Sequence, residues 1–276
     1  MLPSSKIFIK KTNNIKPDIA IILGSGLVKF FEEKDILYTI SYEDLPDFTQ
    51  PTVQGHAGKL VVGTINERKV VCMHGRTHIY EGYVTKKVVN PIRVLKEIGC
   101  KLLIITNAAG SLKQYMPPGS LMTINDHLNW SGFNPLIGPN DEIYGPRFPD
   151  MSDAYHNFYR KQLINISKKN NQVLFEGVYC MYSGPNFETP AEIKALQTLG
   201  GNAVGMSTVP EVIVANHCSL SVVAISVITN YAAGMSKIKL SHQETLEQAS
   251  LAEEKVVYLI KNFINEVRFN DTTGNN

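Results

Sequence analysis

Short runs of consecutive apolar and β-branched residues alternate along this chain with segments in which apolar residues recur every three or four positions. The runs at 19–23, 70–73, 102–106, 172–181 and 221–229 are predicted strands. Their near-continuous apolarity is the pattern of strands covered on both faces. Over 85–98, Val88, Val89, Ile92 and Leu95 fall on one side of a helix, and Val256, Ile260, Phe263 and Val267 repeat that spacing near the C-terminus. The alternation predicts an α/β fold with a central mixed, largely parallel β-sheet flanked by helices. Residues 1–17 read as a loose lead-in and 269–276 as a polar tail. The stretch 18–267, free of internal repeats and low-complexity linkers, is expected to fold as a single domain.

Three helix starts are spelled out locally. Thr189, Pro190 and Glu192 give an N-cap, a proline at the first helical position and a capping-box glutamate; Thr208 with Glu211 and Ser241 with Glu244 repeat the box. Each such start aims unpaired N–H groups at whatever lies in front of it, which places Glu188, Ser207 and His242 near positive helix ends. Segment 130–149 holds four prolines, three glycines and the aromatics Trp130, Phe133, Tyr144 and Phe148 without periodicity. It reads as a functional or interface loop, the alternative being a packed surface excursion.

Composition narrows the classes. The 276 residues are 43% hydrophobic and 19% charged, and 27 Lys plus Arg against 25 Asp plus Glu leave a net charge of +2. That balance, without runs of like charge, argues against a nucleic-acid or membrane-surface binder. Apolar stretches break well before the roughly 18 residues of a membrane span, and the first residues lack the apolar core of a signal peptide. Cys72, Cys100, Cys180 and Cys218 are widely spaced and are expected to be free thiols in a cytoplasmic protein.

Candidate chemistry gathers at the ends of predicted strands, where α/β folds place ligands. Gly24-Ser25-Gly26-Leu27 suits a phosphate cradle or a simple tight turn; Lys29 breaks the dinucleotide fingerprint. In the polar run His74-Gly75-Arg76-Thr77-His78-Ile79-Tyr80-Glu81-Gly82-Tyr83 the histidine spacing hints at zinc, but Arg76 between them favours an anion; a solvated polar loop is the alternative. The small residues of Thr106-Asn107-Ala108-Ala109-Gly110-Ser111 let backbone N–H groups reach a ligand, as any β-to-α turn can. Phe187 offers a face on which a flat base stacks and Glu188 an acceptor for a ring N–H, unless they are a core Phe and a helix-dipole Glu. Met206 stands where a P-loop needs lysine, which rejects that motif. Asn230 presents a donor and an acceptor to one ligand edge.

Taken in order, GSGL, GHAG at 55–58, MHGRTHIYEGY, TNAAG, NPLIGPND, RFPDMSDAY, SGPNFETPAE, AVGMSTVPE and ITN closely resemble the trimeric purine nucleoside phosphorylase family, over about residues 20–245. The resemblance implies phosphorolysis of purine ribonucleosides and deoxyribonucleosides to free base and (deoxy)ribose 1-phosphate in purine salvage. It implies no cofactor and no metal, since inorganic phosphate is the co-substrate. By the same resemblance Ser25, Arg76, His78, the Ala108 backbone and Ser207 hold phosphate, with His56 as a gate or relay. Tyr80, Met206 and His242 surround the ribose, and Phe187, Glu188, Val204, Thr229 and Asn230 contact the base. Phe148 matches the aromatic that a neighbouring subunit contributes in a homotrimer. The catalytic set it implies is His78, Glu188, Asn230 and His242.

Charge development in the reaction fits that map. The sugar becomes positive and the departing purine negative, so phosphate under the anomeric carbon and a donor at the purine both act in the transition state. A Glu188 carboxylate accepts from N1–H, which hypoxanthine and guanine carry and adenine lacks, predicting a preference for inosine and guanosine. Methylthioadenosine phosphorylases carry an acidic residue where Asn230 stands, making 6-aminopurine turnover the runner-up. Val28 and Ser111 replace family glycines, which would narrow the phosphate loops, and Thr77 replaces a common aromatic. A calcium-dependent nucleoside hydrolase needs clustered aspartates, and the nine here are scattered. A non-catalytic nucleoside binder would be favoured by loss of Arg76, Glu188 or Asn230, all of which are present.

Overall fold

A computed structural model describes residues 1–24, 26–27, 30–237 and 240–269. Ser25, Val28 and the tail beyond Phe269 lie outside these described residues. The chain runs α1 (Pro3–Lys11), β1 (Ile19–Leu23), β2 (Ile36–Ser41), β3 (Lys59–Ile65), β4 (Arg68–His74), α2 (Thr85–Glu97), β5 (Leu102–Ser111), β6 (Leu121–Asn129) and α3 (Asn157–Lys169). It continues through β7 (Leu174–Met181), α4 (Pro190–Thr198), β8 (Ala203–Gly205), α5 (Val209–His217), β9 (Ser221–Tyr231) and α6 (His242–Glu266).

The strands form one sheet in the order β2-β3-β4-β1-β5-β8-β7-β6-β9, and β9 also pairs with β5. Strands β5, β8, β7, β6 and β9 thereby close on themselves, while β1 to β4 extend outward from β5. The sheet is mixed. Strand β1 lies parallel to β4 and β5, β5 to β9, and β7 to both β6 and β8, whereas β2–β3, β3–β4, β5–β8 and β6–β9 are antiparallel. Every β1 residue is buried, because alternate side chains enter different cores. Ala20 and Ile22 pack with Phe8, Val89, Ile92 and Val212 on the α1/α2/α5 face; Ile19, Ile21 and Leu23 pack with Leu163, Val256, Ile260 and Phe263 on the α3/α6 face.

Two local expectations are corrected. The lead-in is not loose: α1 opens with Pro3 in its first turn and buries Ser4, Ser5 and Phe8. Phe8, with Leu2 and Ile7 partly buried beside it, and the polar partners Asp47 and Glu97 order it, a pattern too short for periodicity to reveal. Strands β2, β3, β6 and β8 also went unpredicted. β2 is a sheet edge with mostly exposed residues, β3 carries Gly63, the last five residues of β6 are largely polar, and β8 has three residues. Each lacks the unbroken apolar run of a strand covered on both faces.

Candidate functional site

The carboxyl ends of β4, β5 and β9, the residues following β7, strand β8 and the first turn of α6 converge on one cavity of about 310 Å³. This is within the roughly 300–1,000 Å³ of small-molecule sites. Arg76, His78, Tyr80, Ala108, Phe187, Glu188, Val204, Met206, Ser207, Thr229, Asn230 and His242, all singled out in the sequence, line it. Val53, Asn107, Pro185 and Thr245 line it as well; Asn107 and Pro185 fall inside motifs singled out in the sequence without a role of their own, and Val53 and Thr245 carried no local signal.

The floor is built by close backbone approach. A side chain at Gly24 would come within 2.9 Å of the Thr106 carbonyl, and the Gly24 N–H instead donates to Thr106 Oγ1 at 2.8 Å, clamping β1 to β5. At Gly184 (φ +69°) a Cβ would meet Met206 Sδ at 2.5 Å and Tyr80 Cδ1 at 3.1 Å, so glycine there sets the position of two lining residues.

Arg76 is 3% exposed. Its Nη1 donates to Glu211 Oε1 at 3.2 Å and to Thr208 Oγ1 at 3.4 Å, and its Nη2 donates to the Thr106 carbonyl. Thr208 and Glu211 therefore do not form the capping box their spacing predicts. Thr208 adopts φ +77°, ψ −51° and its hydroxyl makes no cap; the Val209 N–H bonds back to the Ser207 carbonyl at 2.9 Å in a γ-turn. Asn107 Nδ2 donates to the Thr208 hydroxyl at 2.8 Å, so this β-branched residue is held in a strained conformation by partners on two other elements. Ser207, next to the turn, lines the cavity.

His78 is fixed by a residue the sequence reading did not single out. Glu81 Oε1 lies 3.0 Å from His78 Nδ1 and accepts the His78 N–H at 2.6 Å. Its Oε2 accepts from the Thr52 N–H and hydroxyl at 2.6 Å each. Burial alone would raise the Glu81 pKa, but the bonds from His78 and Thr52 outweigh it and hold the carboxyl at about 2. An ionised carboxylate only accepts, so Nδ1 of His78 carries the proton. The His-x-x-Glu spacing at a strand end was the available signal. His78 stacks on Tyr80 at 4.8 Å, and His56 meets His78 edge-on at 5.3 Å.

His56 does not line the cavity; its Nδ1 accepts the Arg76 N–H at 3.1 Å, and it packs over Gly75 (φ +99°). Burial, then the neighbouring His78 and Arg76, lower its pKa to about 3. Burial and Lys59 lower that of His74 to about 4. In the unfolded chain both protonate near 6.5, so the unfolded state binds the extra protons. Their contribution to stability is therefore fully present above pH 6.5 and is lost as pH falls toward 3. His56→Gln, which keeps an acceptor, is expected to flatten that decline in thermal melts across pH; an unchanged slope would show that His56 does not contribute to it.

Glu188 is 6% exposed, and burial raises its carboxyl pKa, partly offset by its own backbone N–H. It precedes α4, where Thr189 and Glu192 do form the predicted box: Thr189 N–H to Glu192 Oε2 at 2.7 Å, and Glu192 N–H to Thr189 Oγ1 at 3.2 Å. At the end of β9, Thr229 Oγ1 donates to Asn230 Oδ1 at 2.8 Å and Asn230 Nδ2 to the Tyr231 carbonyl at 2.9 Å. Both bonds fix the amide's orientation and leave one Nδ2 hydrogen unused. Ser241 Oγ caps α6 by accepting the Glu244 N–H at 3.2 Å, placing His242 in its first turn.

Phe148 stands apart from this cavity, 86% exposed, beside a separate depression lined by His127, Asn129 and Ile137. Ser111 turns its hydroxyl to the Lys113 carbonyl at 2.8 Å, and Thr77 bonds Thr49 at 2.6 Å; neither lines the cavity. Among the described residues no group of three or more His, Cys, Asp and Glu is arranged to hold a metal, and no helix is long and apolar enough to cross a membrane.

Known proteins resemble this chain over most of its length. The phosphorylase superfamily profile matches residues 18–265. Purine nucleoside phosphorylase 1 of Bacillus subtilis is 47% identical, covering 92% of this chain and 94% of that protein. The purine nucleoside phosphorylase of Bos taurus is 44% identical over 94% and 92%. Crystal structures of the Schistosoma mansoni purine nucleoside phosphorylase with adenosine and with inosine each superpose with a TM-score of 0.90 at 38% identity, covering 97% of this chain and 96% of theirs. The chain belongs to the phosphorylase superfamily and, within it, to the purine nucleoside phosphorylases, a class of pentosyltransferases.

Proposed function

We propose that this enzyme cleaves 6-oxopurine ribonucleosides and deoxyribonucleosides, inosine and guanosine before adenosine, with phosphate as nucleophile. The observation that carries the reading is a buried carboxylate, Glu188, and an orientation-locked amide, Asn230, lining one cavity with Arg76 and Ser207. Phosphate is held by Arg76, His78, Ser207 and the Ala108 backbone, with His56 as a gate or relay behind them; the family resemblance adds Ser25, which lies outside the described residues. Tyr80, Met206 and His242 enclose the sugar, while Phe187, Val204 and Thr229 enclose the base. As the glycosidic bond lengthens, phosphate opposes the positive charge on the sugar. The unused Asn230 hydrogen meets the negative charge gathering on the purine.

Glu188 accepts N1–H of a 6-oxopurine; adenine offers a lone pair there and leaves the acceptor unmatched. The Schistosoma mansoni relative has been solved with adenosine as well as inosine. That adenosine complex supports a reading in which adenosine can enter such a site and much of the discrimination falls on turnover. A homotrimer in which Phe148 covers a neighbour's sugar is supported by the exposed apolar residues Ile137, Ile143 and Phe148 on one segment. Four buried free cysteines support action in the cytoplasm, and return of base and sugar phosphate supports a role in salvage.

The test is hypoxanthine release from inosine with and without phosphate, with adenosine and methylthioadenosine in parallel. Strict phosphate dependence, ribose 1-phosphate as product and weak adenosine turnover are expected. Release without phosphate would instead mean a hydrolase. Asn230→Asp is expected to shift preference toward adenosine, since an acceptor then faces the 6-amino group; unchanged preference would remove Asn230 from base recognition.

A further inference from the structure

One carboxylate outside the cavity gathers donors from two distant parts of the chain. Glu97, the last residue of α2, accepts the Leu2 N–H at 2.7 Å and the Ser5 hydroxyl at 2.5 Å through Oε2, and the Tyr144 hydroxyl at 3.1 Å through Oε1. The first two partners open α1; the third belongs to the segment between β6 and α3 that bears Phe148. The Glu97 side chain is 13% exposed, so these bonds are largely shielded from water. One turn earlier on α2, the Arg93 guanidinium lies 4.8 Å over the Tyr144 ring.

From Tyr144 the constraint spreads through the segment. Asn140 Nδ2 donates to the Gly145 carbonyl at 3.0 Å, Asn140 Oδ1 lies 3.0 Å from His217 Nε2 at the end of α5, and Arg147 Nη1 donates to the Leu136 carbonyl at 3.0 Å. The segment is thus polar-tethered on its inner side while Ile137, Ile143 and Phe148 remain 73%, 85% and 86% exposed. An exposed aromatic on a free loop would have to be ordered each time it is used; one on a tethered loop has met that entropic cost on folding.

We propose that Glu97 is a positioning residue that fastens α1 and the Phe148-bearing segment into one unit, so that Phe148 is held ready for the neighbouring subunit's nucleoside. The inference rests on the reading of Phe148 given above. Tyr144→Phe deletes only the bond from Glu97 to the segment and leaves the α1 bonds and the Arg93 stack in place. Glu97→Gln weakens both sides.

Each variant is expected to raise the inosine KM about five- to tenfold, the scale of one charge-assisted hydrogen bond, with phosphate KM and kcat within twofold of the wild type. In the Phe148→Ala background the same substitutions are expected to have no further effect, because the aromatic through which they act is gone. Trp130, the single tryptophan, opens this segment and reports on it without turnover: acrylamide quenching of its fluorescence is expected to increase in both variants. Unchanged quenching would overturn the tether whatever the substrate proves to be. Increased quenching with an unchanged inosine KM, or a KM effect that persists in Phe148→Ala, would overturn its link to the site. If the wild-type protein did not cleave inosine, the functional reading would fail while the quenching result still judged the tether.

Discussion

Asn230→Ala is expected to lower kcat for inosine phosphorolysis by about 10²–10³-fold, the scale of removing one donor aimed at charge that develops in the transition state. The geometry explains why the loss should be large and fall on kcat. Thr229 Oγ1 and the Tyr231 carbonyl hold both ends of the amide, so the remaining Nδ2 hydrogen is oriented before substrate arrives and costs no reorganisation as the bond breaks. The ground-state purine gains little from it, so the inosine KM should stay within a few-fold. A steady-state comparison separates the two quantities. A variant in which KM rose and kcat held would make Asn230 a ground-state binding residue instead. Thr229→Val, which frees the Oδ1 end, should give a smaller loss in the same direction.

The second large effect concerns stability. Glu211→Gln leaves the Arg76 guanidinium, 3% exposed, without the carboxylate 3.2 Å away. Stranding one partner of a buried ion pair costs roughly 3–5 kcal/mol, whereas replacing both by apolar groups is often neutral. The single variant should therefore melt roughly 10 °C lower than the wild type. The double variant Arg76→Met/Glu211→Leu should recover most of that loss while its phosphate KM remains far above the wild-type value. Recovery of stability without recovery of phosphate binding would separate the structural role of Arg76 from its proposed role in holding phosphate. Calorimetry that found Glu211→Gln as stable as the wild type would show that Thr208 and the Thr106 carbonyl suffice for the guanidinium.

Both predictions turn on residues whose importance was unequally legible. Asn230 and Glu188 end or follow predicted strands and carry chemistry that few residue types supply, so their position and type alone made them candidates. Glu211 was legible only as a helix-start residue. Its partner is 135 positions away, and the γ-turn at Thr208 that turns it toward Arg76 is stabilised by Asn107 from a third element. Glu81 lay within a motif already recognised as dense in polar groups, but its double grip on His78 and Thr52 depends on where the loop before β3 returns.

By itself, the sequence determined the strands β1, β4, β5, β7 and β9 and their alternation with amphipathic helices, the two-sided burial of β1, the cap of α4 and the residue types that gather at the strand ends. Those features follow from periodicity and from local hydrogen-bonding capacity, which a few neighbouring residues encode. Only the tertiary structure decided that the first residues form a packed helix, that β9 closes the sheet onto β5, that Thr208 and Glu211 serve Arg76 rather than a cap, and that Phe148 lies outside its own cavity. The physical reason is common to all of them: each depends on the partner a group meets across the fold, and the free energy of a buried polar or charged group is set by that partner rather than by its neighbours in sequence.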